Sequence, residues 1–257
     1  MKYINLLLIL LVLVSCSRDS EIPCIPAQLS DHVIAFYPFS NQSLNDFSGN
    51  NHSLNNSDNS LAVKDRNGNE NCAFRFNGTK SQHLYRDGSF LNGVKSKSFS
   101  ISLWYQPLDG KNNHQFLFIK GESGENSCDL QWYLSLIDCE RISFYINKQA
   151  RYEDFPPLWQ DTTIKDEDKC MEEINLYNQK WHHIVITYKK GVMNIYRNGL
   201  RSKRDTQIRN CGAITEDWGN IYLGKDYFGD IDDVIIFDKA LSQSEVNKLY
   251  NMDTCCM

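Results

Sequence analysis

The sequence predicts an all-β protein, an antiparallel sandwich or barrel that ends in a short C-terminal helix. Three observations carry that prediction. Short β-rich runs recur along most of the chain, divided by turns of Asn, Gly, Asp and Ser. Several runs alternate between apolar and polar residues, as strands with one buried face do. The block 181–250 ends in the order strand, strand, strand, capped helix.

The runs fall at 33–39, 72–76, 83–85, 99–105, 115–119, 130–136, 142–146, 181–188, 192–197, 220–223 and 231–237. In 141–147, Ile142, Phe144 and Ile146 share one face, and Arg141, Ser143, Tyr145 and Asn147 share the other. In 130–136, Leu130, Trp132, Leu134 and Leu136 lie opposite Gln131, Tyr133 and Ser135. The runs at 181–188 and 192–197 are joined by Lys189, Lys190 and Gly191. Asn198-Gly199 follows, a dipeptide that accepts positive φ twice in a tight hairpin turn. After the last run, Ser242 can cap the amide of Glu245, Glu245 can reach back, and Leu241 can pack on Val246. Residues 149–180 fit neither period. They hold Phe155-Pro156-Pro157-Leu158-Trp159 and the acidic Asp166-Glu167-Asp168, and are expected to form an insertion loop pinned by Cys170.

The N-terminus is expected to be an export signal. Lys2 precedes an unbroken apolar run at 6–14, nine residues long, far short of the ~20 needed to span a bilayer. It stops at Leu13-Val14-Ser15-Cys16, which resembles a bacterial lipobox with acylation on Cys16. The alternative is plain secretory cleavage beside an incidental cysteine. The expected organisation is a signal at 1–15, a polar tether at 16–30, one β domain at 31–251 and a tail at 252–257 that contains two cysteines. The expected location is the bacterial cell envelope, on the outer membrane through the lipid anchor alone, facing either the periplasm or the surface. Removing 1–15 drops Lys+Arg from 27 to 26 against 32 acidic side chains, a net charge of −6. That balance argues against nucleic acid as a partner.

With Cys16 set aside, eight cysteines remain: Cys24, Cys72, Cys128, Cys139, Cys170, Cys211, Cys255 and Cys256. An even count in an exported chain implies disulfides. Cys128 and Cys139 flank one apparent strand that would hold them ~35 Å apart, so they should not pair with each other. Neighbouring Cys255 and Cys256 have Cα atoms ~3.8 Å apart and each calls for a distant partner. Cys24 is a natural one where the termini meet. No C-x-x-C pair favours a thiolate metal site.

Several stretches together resemble the LamG-like jellyroll of the concanavalin A-like lectin/glucanase superfamily. They are 32–39 with the loop Asn45-Asp46-Phe47-Ser48-Gly49-Asn50, then Ala73-Phe74-Arg75-Phe76, and Phe99 to Trp104. Trp181-His182-His183 with Asn198-Gly199 comes next, and Gly229-Asp230-Ile231-Asp232-Asp233 to the capped helix closes the set. They occur in the family's order across about 32–250, and 149–180 departs from its pattern. The resemblance implies a jelly-roll sandwich and a structural Ca2+ near Asp46, Asn50 and Asp232. Asn, Asp, Ser and Gly are also ordinary turn formers.

Glucanases of this fold carry carboxylates at alternate positions of one strand. Here Asp230 and Asp232 share a face but position 234 is Val, so no catalytic residue is assigned and no enzyme is expected. Adjacent His182 and His183 point to opposite faces and cannot chelate one ion. Sugars need flat aromatic faces beside planar polar groups. The expected ligand-binding residues are Tyr133, Arg141 and Tyr145 on a wet sheet face, and Trp159 from the insertion. Trp159 could equally plug the insertion onto the sandwich. The expected function is non-catalytic binding of a polysaccharide or other glycan. The alternative is adhesion to an envelope or extracellular protein, and a glycoside hydrolase ranks third.

Overall fold

The computed structural model describes residues 22–93, 98–108, 114–121, 132–137, 141–146, 149–152, 179–202, 207–208 and 219–257. In chain order the strands are β1 (Val33–Tyr37), β2 (Asn55–Asn56), β3 (Leu61–Val63), β4 (Ala73–Asn77), β5 (Leu84–Asp87), β6 (Ser98–Pro107), β7 (Gln115–Lys120) and β8 (Trp132–Ile137). They continue as β9 (Arg141–Ile146), β10 (Gln149–Tyr152), β11 (His182–Lys189), β12 (Val192–Arg197), β13 (Leu200–Arg201), β14 (Gln207–Ile208), β15 (Asn220–Leu223) and β16 (Phe228–Phe237). Helix α1 is Ala27–Ser30 and helix α2 is Gln243–Tyr250.

The strands form two antiparallel sheets. The first runs β13-β12-β11-β6-β16-β4-β3, with β1 also paired to β16, and the second runs β14-β10-β9-β8-β7-β15-β5-β2. Alternation decides what each sheet buries. Directly opposed residues share a face, and register places Leu84, Leu223, Phe118, Leu134 and Phe144 in one cross-strand row of the second sheet. All five lie in the central core, against Phe74, Ile101, Leu103, Ile184, Ile195 and Ile231 of the first sheet. The all-β, two-sheet sandwich with a C-terminal helix is therefore the observed architecture.

A bulge keeps the closing strand in phase. The β16–β6 register shifts between Asp232 and Ile235, and Asp233 takes a left-handed φ of 44°. One extra residue there lets Ile231, Val234 and Ile236 all reach the core while Ile235 and Phe237 face out.

The outer face of the first sheet is covered by the chain ends. Phe36, Val185, Tyr196, Ile235 and Phe237 pack under Ile22, Ile25, Leu29, Val246 and Leu249. The capping box of α2 is complete: Ser242 Oγ accepts from the Glu245 amide, and Glu245 accepts from the Ser242 amide at 2.8 Å. Burial by itself would raise the Glu245 carboxyl. Hydrogen bonds from Lys239 and Ser242 outweigh it and hold the group down to about 2. Two disulfides fix the tail, Cys24–Cys255 and Cys72–Cys256, with Cα separations of 5.7 and 5.6 Å. Cys255 and Cys256 each have a distant partner, and Cys24 is one of them. Cys16, Cys128, Cys139, Cys170 and Cys211 lie outside the described residues.

Two expectations are corrected. The segment taken as tether is not free from Ile22 onward, because Ile22, Ile25 and Leu29 are buried and 27–30 is helical. Gln149–Tyr152, assigned to the insertion loop, forms a strand paired to both β9 and β14. The two-residue strands β2, β13 and β14 and the three-residue β3 are too short to show a period in sequence.

Candidate ligand-binding face

The second sheet turns one face away from the core, and a single row of side chains crosses it. Register puts Asn55 opposite Tyr85, Tyr85 opposite Tyr222, Tyr222 opposite Ile119, Ile119 opposite Tyr133 and Tyr133 opposite Tyr145. Four tyrosines thus lie on one line across six strands, one residue out of phase with the apolar core row.

The row is graded in exposure. Tyr133 and Tyr145 stack with centroids 5.0 Å apart at 16° and are 0% and 1% exposed. Together with Ile119 they form a small apolar cluster flanked by Phe116 and Ile137. Tyr133, Tyr145 and Arg141 do share the outer face, as their alternation predicts. The correction concerns solvent. That end is buried, so the faces of Tyr133 and Tyr145 are not a wet platform; alternation fixes which face a residue takes but not what covers that face. Arg141 is partly exposed at the far end of β9, opposite Ile137. Trp159 lies outside the described residues.

The open half of the row is at β5 and β15. Tyr85 and Tyr222 are partly exposed, and the His83 ring stands on edge to both, with centroids at 5.8 and 5.1 Å. Lys225 Nζ lies 4.8 Å from the Tyr222 ring centroid, a cation–π contact. Asn220 and Asp87 oppose each other one step along the same face, and Asn55 is exposed at the sheet edge. Aromatic faces beside planar polar side chains are what sugar recognition requires. Sequence reasoning missed Tyr85, Tyr222 and His83, although Tyr222 alternates with the apolar Ile221 and Leu223.

The residues assigned to calcium form two separate networks. Asp46 takes amide hydrogens from Phe36 (3.0 Å), Ser48 (2.9 Å) and His52 (2.9 Å), and the Ser48 hydroxyl at 2.8 Å. Asn50 donates to the carbonyls of Val33 and Ile34. Asp232 belongs elsewhere: Arg66 Nη1 lies 3.1 Å from its Oδ2 and 2.5 Å from Asp233 Oδ2, and the Asp233 amide donates to Asp232 Oδ1. These two networks share no partner. Of the residues expected to hold calcium, Asp46 is served here by backbone amides and Asp232 by a guanidinium.

Burial raises both Asp232 and Asp233, and Arg66 acts against it. Asp230 is held by Arg75 through two bonds of 2.7 and 2.8 Å. All three acids of β16 are therefore bound to arginines. Asp65, Cys72 and Cys256 also cluster. The two sulfurs are bonded to each other, and Asp65 accepts from Asn67, Asn69 and Thr254. His182 and His183 do face opposite ways, towards Tyr105 and Trp104 respectively.

The sandwich and this aromatic face define a lectin-like architecture. Residues 77–247 match the laminin G family profile described as the concanavalin A-like lectin/glucanases superfamily, and the chain belongs to that family. Its fold is similar to the botulinum neurotoxin serotype D binding domain, with a TM-score of 0.62, 19% identity, and coverage of 87% of this chain and 51% of that one. The serotype D ligand binding domain in complex with N-acetylneuraminic acid gives 0.62, 19%, 87% and 52%. The binding domain of Paraclostridial Mosquitocidal Protein 1 gives 0.63, 20%, 87% and 53%. At these identities the likeness is one of fold, and the chain spans about half the length of each. No curated protein matches it.

Proposed function

We propose that this domain binds carbohydrate without catalysis, through the open half of the aromatic row on the second sheet. One observation carries the reading: Tyr85 and Tyr222 lie side by side on one face with His83 on edge to both, and Asn55, Asp87 and Asn220 border them. The family, and a fold neighbour whose structure holds a sugar acid, are consistent with it. The lipobox-like Cys16 supports attachment to the cell envelope by acyl chains.

A glycan array tests the function. Binding that is lost in Tyr222→Ala and weakened in Tyr85→Ala, with the folded spectrum retained, supports it; Trp159→Ala is compared alongside. Silence on every glycan, together with capture of an envelope protein, would replace it with the adhesion reading. Membrane fractionation of Cys16→Ser tests the anchor, which predicts release into the soluble fraction.

A further inference from the structure

We infer that the face takes the end of a glycan chain, about two sugar rings deep, and not an internal stretch of polysaccharide; this rests on the carbohydrate reading above. Tyr85 and Tyr222 are directly opposed on neighbouring strands, which lie ~4.8 Å apart, so the row offers two adjacent aromatic positions. The next position inward is Ile119, 1% exposed, and beyond it Tyr133 and Tyr145 are equally covered. A sugar chain entering over Asn55 at the sheet edge therefore meets a closed end after two aromatic positions.

The strand direction is closed on one side too. His83 stands edge-on against Tyr222, and Lys225, 8% exposed, lies over the same ring. The remaining openings are the edge at Asn55 and the end at Asp87 and Asn220, which adjoin each other. A straight polymer crossing the patch needs openings on opposite sides. A chain terminus needs only one.

The polar groups fit a terminal ring. Asp87 is exposed and its carboxylate accepts from the Ser89 amide at 2.8 Å and from the Ser89 side chain. Among the described residues, Asn220 Nδ2 makes a long contact of 3.4 Å to the Tyr222 hydroxyl. An end sugar carries one more free hydroxyl than an internal one, and Asn220, two residues from the innermost ring Tyr222, is the polar side chain placed to discriminate on that basis.

The test is an array of neutral oligosaccharides from disaccharide to hexasaccharide, each printed in two sets. One set is attached through the reducing end and the other through the non-reducing end, and the full chain is the probe. Binding should favour one orientation by about tenfold or more and change less than about twofold from disaccharide to hexasaccharide. Tyr222→Ala should abolish binding, while Tyr85→Ala should weaken it and keep the orientation preference. Equal binding in both orientations, with signal rising steadily with length, overturns the chain-end inference and leaves the carbohydrate reading standing. Binding to neither set at any length overturns both.

Discussion

Arg66 lies over Trp104, its guanidinium carbon 4.4 Å from the indole centroid, while the same group binds Asp232 and Asp233. Its Nη2 also donates to the Met252 carbonyl at 3.1 Å. One side chain thus bridges two carboxylates that are each 1% exposed and ties the C-terminal tail to the sheet.

Arg66→Met should cost about 3–5 kcal/mol, because it leaves buried carboxylates without a cation. The loss should depend on pH. Both carboxyls are raised above their ordinary value by burial, and they rise further without Arg66. Their protonated forms are tolerated, so the penalty is full above the raised values and shrinks as pH falls through them. Urea unfolding of both proteins at neutral and acid pH measures it. A penalty that is constant with pH would contradict this account.

His183 should be silent in an NMR titration across the neutral range. Burial, with help from Arg66, holds it down to about 3, and its Nε2 lies 2.8 Å from Ser102 Oγ. A lowered histidine stabilises the fold above the unfolded value of about 6.5, and that contribution is lost as pH falls towards about 3. Ring resonances that move near pH 6.5 would show an exposed imidazole instead.

Breaking Cys24–Cys255 by a double serine substitution should lower stability by about 2–5 kcal/mol. The bond closes a loop of sequence separation 231 and holds Ile22 and Ile25 against the first sheet. Peptide mapping under non-reducing conditions checks the pairing, and thermal melts check the cost.

Calcium and chelator should both leave the melting temperature unmoved. Asp46 already satisfies four donors and Asp232 accepts from Arg66. A rise on adding calcium that EDTA reverses would show that these donors give way to an ion.

What was legible in the sequence depended on range. Asn198-Gly199 and the Ser242/Glu245 box act within a few residues, and each appears where expected. Alternation identified which residues of β8 and β9 face the core, because it is a property of each strand alone. The site was less legible. Tyr85 and Tyr222 become neighbours only through the β5–β15 pairing of distant segments. The solvent exposure of Tyr133 and Tyr145 depends on cover that no strand period encodes. Asp232 was noticed as a carboxylate, but its partner Arg66 comes from the opposite half of the chain.

The stapled termini also set a direction. Cys24 is bonded to the tail on the outer face of the first sheet, whereas the tyrosine row lies on the outer face of the second, a full sandwich thickness away. The acyl anchor proposed at Cys16 would join the described chain on this side, opposite the tyrosine row. A pull from that side divides at Cys24, one branch running along the backbone to β1 and the other through the Cys24–Cys255 bond to the C-terminal tail.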